Sequence, residues 1–247
     1  MMPNWFDAGG SAYALYRPDY PPELAQYLAS LAPARRLAVD VGCGSGQFTC
    51  LLADAFDAVI GLDPSADQIA HAKPHERVRY AAAPAESLAL PDHCADLVTA
   101  AQAAHWFDLP RFYAEVRRVA APGALLALVS YGVPCLDDAV NERFDRFYTQ
   151  EIGPYWPPER RMVDEGYANI AFPFSPLPAP AIDIMRQWSA ADFLGYVSTW
   201  SAVRRAREDG HEALLTSFSH DLLGAWGNPA DRRTIRWPVA MRLGLVA

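Results

Sequence analysis

The stretch that most constrains the fold is residues 37–46, which read LAVDVGCGSG. The first five are almost all apolar, which is typical of a buried parallel strand. Gly42, Gly44 and Gly46 then alternate along a tight turn. Glycine accepts left-handed dihedral angles and lets a ligand approach the backbone without meeting a Cβ atom. A helix predicted over about 47–56 follows at once, so its free N–H groups would face a ligand above the turn.

Strands and helices alternate beyond this turn. The pattern predicts strands at 58–62, 78–82, 95–100 and 124–130, with helices after Pro64 and over 109–120. This order indicates an α/β fold in which right-handed βαβ units build an open parallel sheet. The turns at 42–46, Asp63, 83–86 and 102–108 would share the carboxyl edge of the sheet, where ligands of such folds bind.

Composition narrows the classes of partner. The formal net charge of −8 argues against nucleic acid or an anionic membrane as the main partner. None of the four cysteines forms a C-x-x-C pair or has a histidine that completes a zinc pattern, so no metal site is predicted. The start of the chain lacks the features of a signal peptide, and no apolar run is long enough to span a bilayer. We therefore predict a cytoplasmic protein of unknown oligomeric state.

The regular alternation of strands and helices ends after Gly132. A helix is predicted over 137–151, and residues 154–180 then hold seven prolines and several aromatic residues, which predicts irregular structure. This segment is either a lid or a surface excursion packed by its own side chains, and both readings stay open. Two more strands are predicted at 182–188 and 236–243, with helices around 192–205 and 212–225 between them.

Several ligands could explain the glycine turn. A dinucleotide fingerprint needs G-x-G-x-x-G, and Gln47 stands where its third glycine would fall. A Walker loop is excluded because no Gly-Lys-Ser/Thr follows, and a turn without any ligand is the remaining alternative. Asp63 ends the next strand, where a carboxylate can accept hydrogen bonds from both hydroxyls of a ribose. The pattern therefore favours a ligand that carries a ribose but no pyrophosphate on the turn.

Taken together, residues 37–131 resemble the class I S-adenosylmethionine-dependent methyltransferases. The resemblance rests on VDVGCGSG at 39–46, GLD at 61–63, AESL at 85–88, ADLV at 95–98 and EVRRVAAPG at 115–123. YALYRPDYP at 13–21, AQAAHWF at 101–107 and GYVSTWS at 195–201 are similar to the small-molecule branch of methyltransferase type 11 that includes trans-aconitate methyltransferase-like proteins. The resemblance implies a Rossmann-like seven-stranded, mostly parallel sheet with helices on both faces and an antiparallel last strand.

The same resemblance implies one domain over 1–247. Its parts would be a cofactor-binding core at 33–131, a helical or irregular cap insertion at 132–181, and C-terminal strands and helices at 182–247 that complete the sheet. The implied cofactor is S-adenosylmethionine, with S-adenosylhomocysteine as product. The implied activity is methyl transfer to a small molecule, at a carboxylate or hydroxyl oxygen. The alternatives are a non-catalytic cofactor-binding protein of the same fold and an NAD-binding oxidoreductase, which Gln47 disfavours.

The resemblance also assigns cofactor-binding residues. Asp40 would support the ammonium group directly or through water, Asp63 would bind the ribose, and backbone at Ala85 and Glu86 would meet the adenine edge. Pro84 stands where many relatives carry an Asp, so a side-chain bond to the adenine amine is not expected. The full predicted set is Arg17, Asp40, Gly42, Gly44, Gly46, Asp63, Pro64, Ala85, Glu86 and Gln102.

The acceptor side of the reaction is less defined by the sequence. Methyl transfer depends on alignment and exclusion of water, and a base is needed only for a hydroxyl or amine acceptor. His105 is the candidate base, because it follows the fourth strand, and the alternative reading is a structural histidine that hydrogen-bonds the backbone. The candidate substrate-binding residues are Tyr13, Trp106, Tyr155, Trp156 and Trp200, each of which could instead be a packed core aromatic.

Overall fold

The computed structural model describes residues 16–246. Within this range the chain divides into two compact units. We call residues 19–132, 161–183 and 238–246 the sheet unit, and residues 16–18, 133–160 and 184–237 the helical unit. The predicted cap at 132–181 is therefore divided between the two, and the one-domain organisation stays a prediction.

The sheet confirms the predicted fold class. Its strands are β1 Leu37–Val41, β2 Ala58–Asp63, β3 Val78–Ala82, β4 Ala95–Ala101, β5 Ala120–Tyr131, β6 Ser175–Leu177, β7 Ile182–Trp188 and β8 Arg233–Leu245. Their order in the sheet is β3-β2-β1-β4-β5-β8-β6, and the first five strands run parallel while β8 runs antiparallel to β5. The sheet has eight strands, one more than the seven predicted, because β6 and β7 both pair with β8.

The helices of the sheet unit are short and amphipathic. In the helix Leu109–Val119 the apolar residues Phe112, Val116 and Val119 recur at helical spacing and are fully buried. Asp108 begins this helix by accepting a hydrogen bond from the N–H of Arg111 at 3.4 Å. The helices are α1 Pro22–Leu31, α2 Gln47–Ala53, α3 Ala66–Ala70 and α4 Leu109–Val119.

The helical unit is built around aromatic side chains. Phe147 stacks on Phe218 with ring centroids 3.7 Å apart, and the indole N–H of buried Trp237 donates to the hydroxyl of Tyr196 at 3.2 Å. The predicted helix over 192–205 is two helices, because the chain is extended at Trp200. The elements are α5 Asp138–Arg146 with a π-helical turn Phe147–Glu151, α7 Ala190–Ser198, α8 Ser201–Glu208 and α9 Glu212–Trp226.

The proline-rich segment 154–180 contains regular structure, so the prediction of an entirely irregular segment is wrong. It holds the short helix α6, Arg160–Asp164, and the strand β6. Pro176 is tolerated in β6 because this strand ends the order of the sheet, where one edge needs no N–H donor. Within the sheet unit, Tyr113 donates to the carbonyl of Ala171 at 2.6 Å and Tyr27 to that of Pro178 at 3.0 Å. These bonds would have to break for the segment to act as a lid, which stays a prediction.

No helix in residues 16–246 is both long enough and apolar enough to cross a membrane.

Candidate functional site

The glycine turn lies against the end of the neighbouring strand. All three glycines are left-handed, with φ of 71° at Gly42, 53° at Gly44 and 81° at Gly46. The N–H groups of Gly42 and Cys43 both donate to the carbonyl of Leu62, at 2.7 and 3.0 Å. The turn is therefore tied to the carboxyl end of β2, as the predicted sheet edge requires.

The three glycines differ in what surrounds the position of a Cβ atom. A Cβ at Gly42 would lie 2.5 Å from Cβ of Ala103, and a Cβ at Gly46 would overlap the phenol of Tyr80, 2.7 Å from its Cζ. A Cβ at Gly44 would meet only Oε1 of Gln68, at 3.9 Å. Gly44 is thus the one position of the three with an open side for a ligand, whereas Gly42 and Gly46 make room for neighbouring side chains.

Asp63 connects the turn to the start of α3. Its Oδ2 accepts the N–H of Gly44 and its Oδ1 accepts the N–H of Ser65, both at 2.9 Å. Partial burial raises the pKa of Asp63, and the two backbone donors oppose that shift. Each carboxylate oxygen has a second lone pair with which it can accept a ribose hydroxyl. Pro64, the next residue, is exposed.

Asp40 lies on β1, two residues before Gly42, and is only 1% exposed. Its Oδ2 accepts from the hydroxyl of Thr49 at 2.7 Å and its Oδ1 from that of Thr99 at 2.8 Å. Burial raises the pKa of Asp40 to about 6, against the effect of both hydroxyls and with a smaller contribution from the charge of Asp63. The carboxylate therefore links β1 to α2 and β4 through hydrogen bonds. Its contact with the cofactor stays a prediction.

The raised pKa of Asp40 predicts the direction in which the stability of the protein changes with pH. Because the folded-state pKa lies above the unfolded value of about 4, ionisation of Asp40 lowers the free energy of unfolding as the pH rises from about 4 to about 6. Asp40→Asn should remove that loss. Relative to the parent protein, the variant should gain about 2 kcal/mol between about pH 4.5 and pH 8, measured by urea unfolding.

Asp96 provides the matched control, because its pKa is shifted in the opposite direction to that of Asp40. Burial opposes its ionisation, but hydrogen bonds from Arg36 outweigh this effect and hold the pKa of Asp96 below its usual range. Asp96→Asn should therefore lose stability relative to the parent as the pH rises through the acid range. If the free energy of unfolding changed with pH in the same way in Asp40→Asn and in the parent protein, the effect assigned to burial of Asp40 would be contradicted.

The loops after β3 and β4 meet at the same edge. Ala85 is buried, and the carboxylate of Glu86 accepts the N–H of Asp108 at 2.9 Å, which joins the two loops. Gln102 is left-handed, with φ of 54°, and its side-chain amide donates to the carbonyl of Tyr131 at 2.6 Å. The predicted cofactor residues of the sheet unit are thus gathered at one edge of the sheet.

His105 lies in a short 3₁₀ turn, Ala104–Trp106, directly after β4. Its Nδ1 is 2.9 Å from the hydroxyl oxygen of Tyr167, and its ring is 4.9 Å from that of Trp106. Phe107 packs on Phe112 with centroids 4.9 Å apart. The Tyr167 partner was not predicted from sequence, because 62 residues separate it from His105.

Four of the other predicted residues belong to the helical unit. Arg17 lies in the helical unit with its guanidinium over the ring of Tyr196, 5.5 Å from the centroid. Trp156 and Trp200 also belong to the helical unit, with centroids 5.3 Å apart, and Trp200 is 2% exposed. Tyr155 accepts a hydrogen bond at its carbonyl from Arg205 at 3.4 Å. Tyr13 lies outside the described residues.

Within residues 16–246 no three His, Cys, Asp or Glu side chains are grouped so that they could hold a metal ion. All four cysteines are free thiols.

The geometry suits the cofactor that the sequence implies. S-adenosylmethionine carries a ribose and a flexible methionine chain without a pyrophosphate. The open side of Gly44 admits such a chain close to the backbone, and Asp63 offers ribose hydroxyls two carboxylate oxygens at the next strand end. At Gly46, in contrast, the side chain of Tyr80 occupies the space that a ligand or a Cβ atom would need.

Comparisons with known proteins agree with this geometry. A family model described as a methyltransferase domain matches residues 39–128. A protein of Dictyostelium discoideum named as a methyltransferase is 36% identical over 225 residues, or 90% of this chain and 86% of the relative. The structure of a type II methyltransferase from Anaeromyxobacter dehalogenans is 46% identical with a TM-score of 0.88, over 94% of this chain and 98% of that one.

A third relative matches over a shorter stretch. The malonyl-[acyl-carrier protein] O-methyltransferase of Pectobacterium atrosepticum is 36% identical over 107 residues, which are 42% of each chain. Together these likenesses confirm the predicted enzyme over the non-catalytic and oxidoreductase alternatives, while the narrower trans-aconitate-like branch stays a prediction. The chain belongs to the class I S-adenosylmethionine-dependent methyltransferases, and S-adenosylmethionine is its cofactor.

Proposed function

We propose that this enzyme transfers a methyl group to an oxygen of a small-molecule acceptor, either a carboxylate or a hydroxyl. The observation that carries the proposal is the match to a relative named as an O-methyltransferase, which covers 42% of this chain. The net charge of −8 agrees with a small molecule rather than a nucleic acid. We further propose that the enzyme works in the cytoplasm, as its free cysteines would allow.

The residues of the sheet unit have distinct roles in this proposal. Gly44 lets the methionine chain lie close to the backbone, and Asp63 holds the ribose while its own oxygens keep the turn in place. Asp40 acts as a positioning residue, since its carboxylate bridges the hydroxyls of Thr49 and Thr99. Gly42, Gly46, Pro64, Ala85, Glu86 and Gln102 complete the proposed cofactor site, with Arg17 as a further candidate for the cofactor carboxylate.

The bound cofactor supplies a methyl group on a sulfonium, which is already activated for transfer to a nucleophile. The protein then has to align the acceptor and exclude water, and such alignment supplies much of the acceleration. We propose His105 and Trp106, in the loop after β4, for this task. Tyr13, Tyr155, Trp156 and Trp200 remain proposed substrate-binding residues on the grounds of the sequence resemblance.

A screen with isotopically labelled S-adenosylmethionine tests the proposal. Small carboxylic acids or phenols should become labelled, and mass spectrometry of the products should locate the methyl group on oxygen. Mild alkaline hydrolysis should release methanol from a methyl ester but not from a methyl ether, which separates a carboxylate from a hydroxyl acceptor. Asp63→Ala provides the control without cofactor binding. Labelling confined to nitrogen or carbon acceptors would reject an oxygen acceptor while leaving the methyltransferase assignment intact.

A further inference from the structure

The loop between β4 and α4, residues 102–108, is held by hydrogen bonds at both of its ends. At its start the side-chain amide of Gln102 donates to the carbonyl of Tyr131 at 2.6 Å. At its end the N–H of Asp108 donates to Oε1 of Glu86 at 2.9 Å, across 22 positions of the chain. The β4–α4 loop is therefore attached at one end to β5 and at the other to the loop that follows β3.

The β4–α4 loop also packs on the glycine turn. The position of a Cβ atom at Gly42 is 2.5 Å from Cβ of Ala103 and 3.3 Å from Cζ of Phe107. Between these two residues lie His105 and Trp106, which we propose for alignment of the acceptor. Because the loop lies so close to the turn, a shift at either end of the loop would change the distance of both side chains from the cofactor site.

The carboxylate of Glu86 replaces part of a helix cap at the second attachment. Asp108 is the N-cap residue of α4, and its own carboxylate accepts the N–H of Arg111 at 3.4 Å. The N–H of an N-cap residue has no carbonyl within its helix to bond, and in a capping box a Glu or Gln at the third helical position accepts it. In α4 that position is Arg111, so Glu86 supplies the acceptor from another loop.

We propose that the side chain of Glu86 is a positioning residue for methyl transfer, whereas only its backbone serves the cofactor. The inference rests on the proposed role of His105 and Trp106. Position 86 then needs a hydrogen-bond acceptor but no negative charge, because the partner is a neutral N–H group. Without this acceptor the end of the loop is released while Gln102 still holds its start. A displacement of about 1 Å in an aligning group can slow a reaction by up to about a hundredfold.

Hydrogen exchange of the Asp108 amide, followed by NMR, tests this attachment without any methyl acceptor. In Glu86→Ala we expect the amide to exchange about tenfold faster than in the parent protein. In Glu86→Gln we expect the parental rate within about twofold, since the side-chain oxygen of glutamine also accepts. The affinity for S-adenosylhomocysteine, measured by calorimetric titration, should stay within about twofold of the parent in both variants. An unchanged exchange rate in Glu86→Ala, or a greater loss of cofactor affinity, would overturn the proposal.

Kinetics with a methyl acceptor then test the positioning role. Glu86→Ala should lower kcat by about tenfold with an unchanged KM for S-adenosylmethionine, and Glu86→Gln should keep kcat within about twofold of the parent. Asp92→Ala is the matched control, because it removes the same charge from the connection between β3 and β4, where Asp92 pairs with Arg118 at 2.8 Å. This control should keep the parental kcat.

The conservative variant decides between a hydrogen bond and a charge. If Glu86→Gln were as slow as Glu86→Ala, the negative charge would be the property that matters, and the proposed positioning role would be rejected. Because hydrogen exchange at Asp108 needs no methyl acceptor, failure of the oxygen-acceptor proposal remains distinguishable from failure of this one.

Discussion

Asp63→Ala is expected to lower the affinity for S-adenosylmethionine by about a thousandfold while the protein stays folded. Two hydrogen bonds from a ribose to a carboxylate contribute about 1.5–3 kcal/mol each, and about 4 kcal/mol corresponds to that factor. The substitution also removes the acceptors of the N–H groups of Gly44 and Ser65, which loosens the turn itself. Calorimetric titration with S-adenosylhomocysteine, which carries the same ribose, measures this loss of affinity.

Asp67 provides the matched control for this experiment. It lies on α3 four residues beyond Asp63, has an exposed side chain and pairs with His71 at 3.5 Å. Asp67→Ala removes the same carboxylate charge from the same region, so a general electrostatic effect would appear in both variants. We expect its affinity to match the parent within about twofold, since exposed ion pairs contribute little. Unchanged affinity in Asp63→Ala would refute the ribose assignment.

Gly46→Ala is expected to lower the free energy of unfolding by about 3 kcal/mol. The left-handed backbone costs alanine about 1 kcal/mol, and overlap with the ring of Tyr80 adds an overpacking cost of about 2 kcal/mol. Tyr80 has little freedom to withdraw, because its hydroxyl donates to the carbonyl of Lys73 at 2.8 Å and its ring also covers Gly61. Urea unfolding monitored by circular dichroism measures the change.

Gly44→Ala separates packing from ligand binding. It carries the same left-handed cost of about 1 kcal/mol, but its Cβ meets no side chain closer than 3.9 Å. We therefore expect a smaller loss of stability than at Gly46 and a larger loss of cofactor affinity. In a double-mutant cycle, Tyr80→Ala should recover about 2 kcal/mol of the Gly46→Ala loss. Equal stability losses at the two glycines, with no coupling to Tyr80, would contradict these roles.

Local patterns account for the features that the sequence predicted correctly. The apolar run of β1, the alternating glycines and the carboxylate at the end of β2 all lie within 27 residues of chain, and the order of strands and helices implied the parallel sheet. The periodicity of α4 likewise matches its buried face of Phe112, Val116 and Val119. Hydrophobic periodicity and turn-forming residues depend on only a few neighbouring positions, so both can be recognised in the sequence without knowledge of the tertiary structure.

Other features escaped prediction because they depend on partners distant in the chain. The extra strand β6 includes a proline that is tolerated only because this strand ends the order of the sheet. The helix predicted over 192–205 is broken where Trp200 packs into the aromatic core. Neither the edge position nor the aromatic packing leaves a periodic signal in the sequence.

The sequence by itself determined the fold class, the edge of the sheet that carries the site and a ligand with a ribose, because glycines and a strand-end carboxylate act through local backbone geometry. The family resemblance of its motifs then implied S-adenosylmethionine as that ligand. The tertiary structure alone decided what each residue does there. It buried Asp40 between Thr49 and Thr99, filled the space beside Gly46 with Tyr80, and left Gly44 open. It also brought Tyr167 to His105, a contact set by packing across the sheet unit rather than by spacing along the chain.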